Sequence, residues 1–141
     1  MKALSTEGIY RAMLEEDGMP KRGAAATMLG IRVGTDIVPD AAGAVHLPAF
    51  APGEKNGLSC AATIDTLPRF TLPTEWGGLN KRTTIWIVDD ADLKTELVAG
   101  DDSVVGRNRH ISIGPRLTMD YNDFVRAIEA TRPVWTKVIK T

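Results

Sequence analysis

Side chains able to move a proton or hold an anion gather in the stretch GRNRHISIGPRLTMDY, where Arg107, Arg109, His110 and Arg116 fall within ten residues. In an extended strand Arg109, Ile111 and Ile113 share one face, while His110, Ser112 and Gly114 share the other. A second arginine, Arg11, sits beside Tyr10 in the run EGIYRAML, and Ser59 and Cys60 follow Gly57-Leu58. If Arg11, Arg109 and His110 converge with Ser59, they offer forked donors to a pyrophosphate and an imidazole that can give or take a proton. The alternative is that these arginines line rims and His110 is a satisfied edge residue. Spacing leaves both readings open.

Other chemistries find less support. His46 and His110 are 64 residues apart, and neither has a ligand partner at metal-binding spacing, so no metal is expected. The acids of Asp89-Asp90-x-Asp92 and Asp101-Asp102 lack the glycine and terminal glutamate of a calcium loop. They read as solvated turn acids. The elbow G-x-S-x-G is missing around Ser59. Cys60, the lone cysteine, reads as a small buried hydrophobe, although spacing leaves a Cys60–His110 pair open. The glycines of LGIRVGTD, GLSCAATI and EWGGLN match neither Walker nor dinucleotide-fold spacing and are expected in turns.

The elements that must position these groups are legible in part. The chain has 141 residues, 43% hydrophobic and 25% charged, which suits one domain spanning 1–141. At this size roughly two-thirds of the unfolded surface can be buried, so the core needs no disulfide or metal. The formal net charge of −1 removes the pull of a general nucleic-acid binder. No apolar run reaches the roughly 20 residues needed to cross a bilayer, and acids interrupt the first eighteen residues, so neither a signal peptide nor a membrane span is expected. With one cysteine, a reducing, cytoplasmic setting is expected.

TTIWIVDD and RHISIGP carry the best strand patterns, each stopped by turn residues. EGIYRAML alternates and is bounded by Gly8 and Asp17-Gly18; AGAVHLP and GLSCAATI are weaker strands. RGAAATMLG is expected to be a short helix ended by Gly30. The stretch from Gly18 to Gly78 holds six of the eight prolines and nine of the thirteen glycines, predicting short elements tied by long ordered loops. TMDYNDFVRAIEATRPVW places Tyr121, Phe124, Val125 and Ile128 on one helical face. Asp120 fits its N-cap, Asp123 its first turn, and Pro133 stops it near Thr131. Trp135 and Val138 are expected to fold back onto the core. The sum is an α+β domain with a C-terminal helix.

In order along the chain, IYRAM, MPKRGAAATMLGIRVGTDIVPDAAGAVHL, NGLSC, TTIWIVDDADL and RHISIGPRLTMDYNDFVRAIEATRPVW resemble a family of bacterial type VI secretion toxins. That family acts in the cytoplasm of the target cell and has wider bacterial and fungal relatives. The resemblance runs from about Ile9 to Trp135 and rests on the order of the pieces, since no single piece is specific. It implies an ADP-ribosyltransferase-like fold: a split β-sheet core gripping NAD, which is the substrate, under long loops. By resemblance Arg11 holds the dinucleotide and Ser59 supports the site. The strand that carries a glutamate in the arginine–serine–glutamate branch begins here with His110, and Glu75 and Glu54 are loop candidates for a carboxylate from elsewhere.

The implied catalytic set is Arg11, Ser59 and His110. The implied NAD-binding set is Tyr10, Arg11, Ser59, Cys60, Trp76 and Arg109, with Phe50 a second stacking face beside Trp76. The activity implied is ADP-ribosyl transfer or NAD hydrolysis. An immunity protein is implied as partner, docking over the cleft or the Gly53–Gly78 loops. Two alternatives stand beside this. One is a ribonuclease-type toxin using His110 with Arg107 and Arg109. The other is a non-catalytic NAD-binding or interaction module of the same fold.

Overall fold

The computed structural model describes residues 6–93, 96–104 and 109–140. In chain order its strands are β1 (Ile9–Met13), β2 (Glu15–Glu16), β3 (Met19–Pro20), β4 (Ala44–Val45), β5 (Leu58–Ala61), β6 (Thr84–Val88), β7 (Leu97–Asp101), β8 (His110–Pro115), β9 (Met119–Asp120) and β10 (Thr136–Lys137). One α-helix, α1 (Tyr121–Ala130), precedes β10. Six strands form one antiparallel sheet in the order β10-β6-β1-β5-β8-β7. The small pairs β2-β3 and β4-β9 stand apart from it. The architecture is mixed α and β, mostly sheet. No helix among the described residues is long and apolar enough to cross a membrane.

The alternation read from the sequence becomes two cores. On one face Ile9 and Met13 of β1, Leu58 and Cys60 of β5, Trp86 and Val88 of β6, and Ile113 of β8 pack under α1 through Phe124, Ala127 and Ile128. Trp86 and Phe124 are almost fully buried, and each contributes about 2–3 kcal/mol by leaving water. Asp120 caps α1 by accepting from the Asn122 backbone N–H at 2.9 Å. As expected, the helix stops at Ala130. Trp135 and Val138 turn back into the cores, and Thr136–Lys137 extends the sheet beyond β6.

On the other face Tyr10, Ala12, Ala61 and Ile85 pack under Ile64, Leu67, Leu72 and Trp76. That cover lies over the β1–β6 half. On the β5–β8 half the same face carries Ser59, Ser112 and His110, by the register Ser59↔Ser112 and Ala61↔His110.

Two expectations change. The core is one continuous sheet rather than two, but its middle join is narrow. β1 and β5 register only at Tyr10↔Ala61, with Gly8 N–H donating to the Ala62 carbonyl at 2.8 Å. Beyond Tyr10 the ladder gives way to a side chain: Arg11 Nη1 donates to the Ser59 carbonyl at 2.5 Å.

The second change is RGAAATMLG, which is a chain of bends and turns and not a helix. The Met28 carbonyl accepts from Arg11 Nε and Nη2, and the Ala25 carbonyl accepts both from Arg11 and, at 3.0 Å, from the Met28 N–H, which closes a single turn that does not continue. Gly30 lies so close to the Gly23 backbone that a Cβ would stand 2.2 Å from its carbonyl oxygen. A long-range donor and a tight chain crossing override the local alanine preference.

Candidate active site

Where β1 and β5 part, a cleft opens across the sheet as two adjoining hollows. One, of about 140 Å³, is lined by Arg11, Ala12, Ala26, Cys60, Pro68 and Phe70, among others. The other, of about 260 Å³, is lined by Asp36, Glu54, Asn56 and Ser112. Arg32, Ser59 and His110 line both and so mark the junction.

At that junction five side chains form a connected network. Ser59 Oγ lies 2.7 Å from His110 Nε2, and His110 Nδ1 lies 2.6 Å from Asp102 Oδ1. A carboxylate can only accept, so Nδ1 carries a proton, and in the tautomer protonated only there Nε2 is the acceptor for the Ser59 hydroxyl. The second Asp102 oxygen accepts from Ser112 Oγ at 2.7 Å and from Asn56 Nδ2 at 2.9 Å.

The side chain of Asp102 is only 2% exposed, while that of His110 is 42% exposed to the cleft. Burial pushes the Asp102 pKa up, but hydrogen bonds from Asn56, His110 and Ser112 outweigh it and hold the pKa below the ordinary carboxylate value. A buried, ionised carboxylate thus fixes the tautomer and orientation of an imidazole whose free edge meets a hydroxyl.

Backbone geometry holds the network in place. His110 N–H donates to Ser103 Oγ at 2.9 Å, and Asp102 N–H donates to the His110 carbonyl at 3.1 Å. The turn after β7 is therefore tied to the first residue of β8. Asn56 reaches Asp102 because the loop before β5 lies flat on β8. At Gly57, with φ +130°, a Cβ would stand 2.1 Å from the Ile113 carbonyl oxygen, so only glycine fits that approach.

The expected site residues divide. Arg11, Ser59, Cys60 and His110 all line the cleft. Arg11, however, is buried with its fork committed: Nε and Nη2 donate to the Met28 carbonyl at 3.2 and 2.9 Å, and Nη1 to Ser59. Burial lowers its pKa. It builds the cleft wall more than it reaches out. Arg32 is the more available cation. Its Nη2 and Nε pair with the buried Asp36 at 2.9 and 3.3 Å, and Nη1 has no hydrogen-bond partner among the described residues.

Cys60 is buried, and burial pushes its thiol up to about 12, so it is a neutral thiol at pH 7. The histidine's partner is Ser59, not Cys60.

Tyr10 and Trp76 lie in the smaller core beneath the Ile64–Trp76 cover and do not line the cleft. Lys140 Nζ sits 5.3 Å over the Trp76 ring. Phe50 packs its ring on Gly100. The aromatic side chain at the cleft is Phe70, 62% exposed. Arg109 faces away, paired with Glu7 at 2.6 Å and Asp101 at 3.5 Å. Arg116 donates to the Leu97 carbonyl, and Arg107 lies outside the described residues. Of the two loop carboxylates, Glu54 lines the cleft and Glu75 does not.

Asp102 is the residue that the sequence reading misplaced. It is not a solvated turn acid but the buried anchor of the histidine. Asp101 and Asp89 do behave as turn acids, accepting from the Ser103 and Ala91 backbones. His46 bonds Asp40 at 2.7 Å and Thr118 at 3.1 Å on the exposed β4–β9 side. Among the described residues no group of three or more His, Cys, Asp or Glu side chains is arranged to hold a metal ion. Comparison of the chain with protein-family models, curated proteins and solved structures finds no match, so the functional reading rests on this geometry.

Proposed function

We propose that the cleft binds NAD and breaks its nicotinamide–ribose bond, passing the ADP-ribosyl group to water or to an acceptor hydroxyl. The observation that carries this reading is the meeting of Arg11, Ser59 and His110, from three strands, at the gap between β1 and β5. The ADP-ribosyltransferase-like fold suggested by the sequence resemblance requires such a gap. The narrow β1–β5 join supports that reading. Asp102 answers the want of a glutamate on β8: its charge lies directly behind His110 and steadies positive charge developing in front of it.

In this mechanism Arg32 faces a phosphate and Phe70 offers a stacking surface. The bonding electrons leave with nicotinamide. The attacking hydroxyl bonds to the ribose carbon, and its proton passes through Ser59 Oγ to His110 Nε2. The protein acts as an intracellular toxin, and a cognate immunity protein neutralises it by covering the cleft.

Incubation with NAD should release nicotinamide, and His110→Ala should lower that rate by about 10²-fold or more. Expression without the immunity partner should arrest growth, and the same substitution should relieve it. If the folded protein neither binds NAD nor releases nicotinamide, this reading fails. Tight binding without turnover would point to the non-catalytic module. The ribonuclease reading loses support because Arg109 is spent on Glu7 and Asp101, so total RNA should survive incubation intact.

A further inference from the structure

We propose that Ser59 is an activated nucleophile and that the cleft carries an acyl-transfer activity on small carboxylic esters. This does not depend on NAD binding. The relay of hydroxyl, imidazole and buried carboxylate is complete: 2.7 Å from Ser59 Oγ to His110 Nε2, and 2.6 Å from His110 Nδ1 to Asp102 Oδ1. Such a set is recognised by geometry and roles and not by sequence context, so the missing G-x-S-x-G elbow does not disqualify it.

The support behind the relay is itself built. Asp102 is buried and its other oxygen is filled by Asn56 and Ser112. It therefore has no competing partner to draw it from the ring.

Ser59 Oγ attacks the ester carbonyl carbon and its proton moves to Nε2. The carbon–oxygen bond to the alcohol breaks, and the departing alkoxide takes the proton from Nε2. Water then attacks the acyl-serine, giving its proton to Nε2, and Ser59 leaves with that proton. The products are an alcohol and a carboxylic acid. Arg32 lines both hollows, and its Nη1, without a hydrogen-bond partner among the described residues, is the donor assigned to the transient oxyanion. Ala12, Ala26, Pro68 and Phe70 line the hollow next to Ser59, so the acyl group it admits is short and apolar.

The probe is a biotin-linked fluorophosphonate, on which Ser59 attack expels fluoride, followed by peptide mapping; p-nitrophenyl acetate serves as a turnover substrate. The folded wild type should take one adduct, on the peptide containing Ser59, and Ser59→Ala should take none. Asp102 acts through His110 as a positioning residue. Asp102→Asn should therefore slow labelling by about 10²-fold or more and should alter its pH profile, with circular dichroism confirming the fold. If Ser59→Ala does not fold, the mapped wild-type adduct and the Asp102→Asn rate decide the matter. A folded wild type that resists the probe, an adduct elsewhere, or an Asp102→Asn variant labelled at the wild-type rate would overturn the proposal. Each of these outcomes is independent of nicotinamide release, so the two readings fail separately.

Discussion

His110 and Asp102 are eight positions apart, and their meeting shows how one residue's role is set by its neighbours. The sequence marked His110 by its basic company, yet Arg109 turns outward to Glu7 and the group that meets the ring is an acid. Asp101 and Asp102 are identical in type and adjacent, but Asp101 ends β7 with its side chain in solvent, while Asp102, just past the strand, is buried against Ser112. No residue-level signal separates them. The neighbouring pair Ser59 and Cys60 divides in the same way. Cys60 points into the helix-side core, and a thiol raised to about 12 is almost wholly protonated at pH 7 to 8. Native protein should therefore resist iodoacetamide at pH 8 while the denatured chain reacts at once. Rapid modification of native protein would show that the thiol is reachable and ionised.

At the scale of elements, the strands in EGIYRAML, TTIWIVDD and RHISIGP formed where expected, because apolar runs closed by turn residues are local signals, although β1 is buried along its whole length and not on alternate residues. The helix expected over RGAAATMLG did not form: Leu29 N–H reaches back to the Lys21 carbonyl, Gly30 crosses Gly23 closely, and the Ala25 and Met28 carbonyls accept from Arg11, some 14 to 17 residues earlier. The strand β7 escaped notice because LVAGD holds a glycine and little alternation; it is recruited by pairing with β8. The loop ending at Gly57 matters most for the site, since it carries Asn56 to Asp102. Gly57→Ala would force a Cβ to 2.1 Å from the Ile113 carbonyl oxygen at φ +130°. Chemical denaturation should show a loss of about 3 kcal/mol, and labelling of Ser59 should slow as Asn56 withdraws. A variant of unchanged stability would mean that the loop can lift away without loss.

For the molecule as a whole, acid should be the sensitive direction. Backbone and His46 hydrogen bonds hold the Asp40 pKa low. At Asp101 hydrogen bonds from Ser103 do the same. At Asp102 burial pushes up, but hydrogen bonds win. A carboxyl whose folded pKa lies below its unfolded value stabilises fully above the unfolded pKa, about 4, and loses that stabilisation as pH falls through the folded pKa. The melting temperature should therefore fall below about pH 4, with a shallower fall in Asp102→Asn. An acid slope identical in that variant would remove Asp102 from the account. The sequence by itself determined the α+β class, the main strands and the capped C-terminal helix, because periodicity and capping act over a few residues. It also marked Arg11, Ser59 and His110 as chemically able. Only the tertiary structure decided that these three share a cleft, that Arg11 is spent on backbone carbonyls, that Trp76 and Arg109 lie elsewhere, and that Asp102 stands behind the histidine. Those facts depend on sheet register and on contacts dozens of residues apart along the chain, which no local pattern encodes.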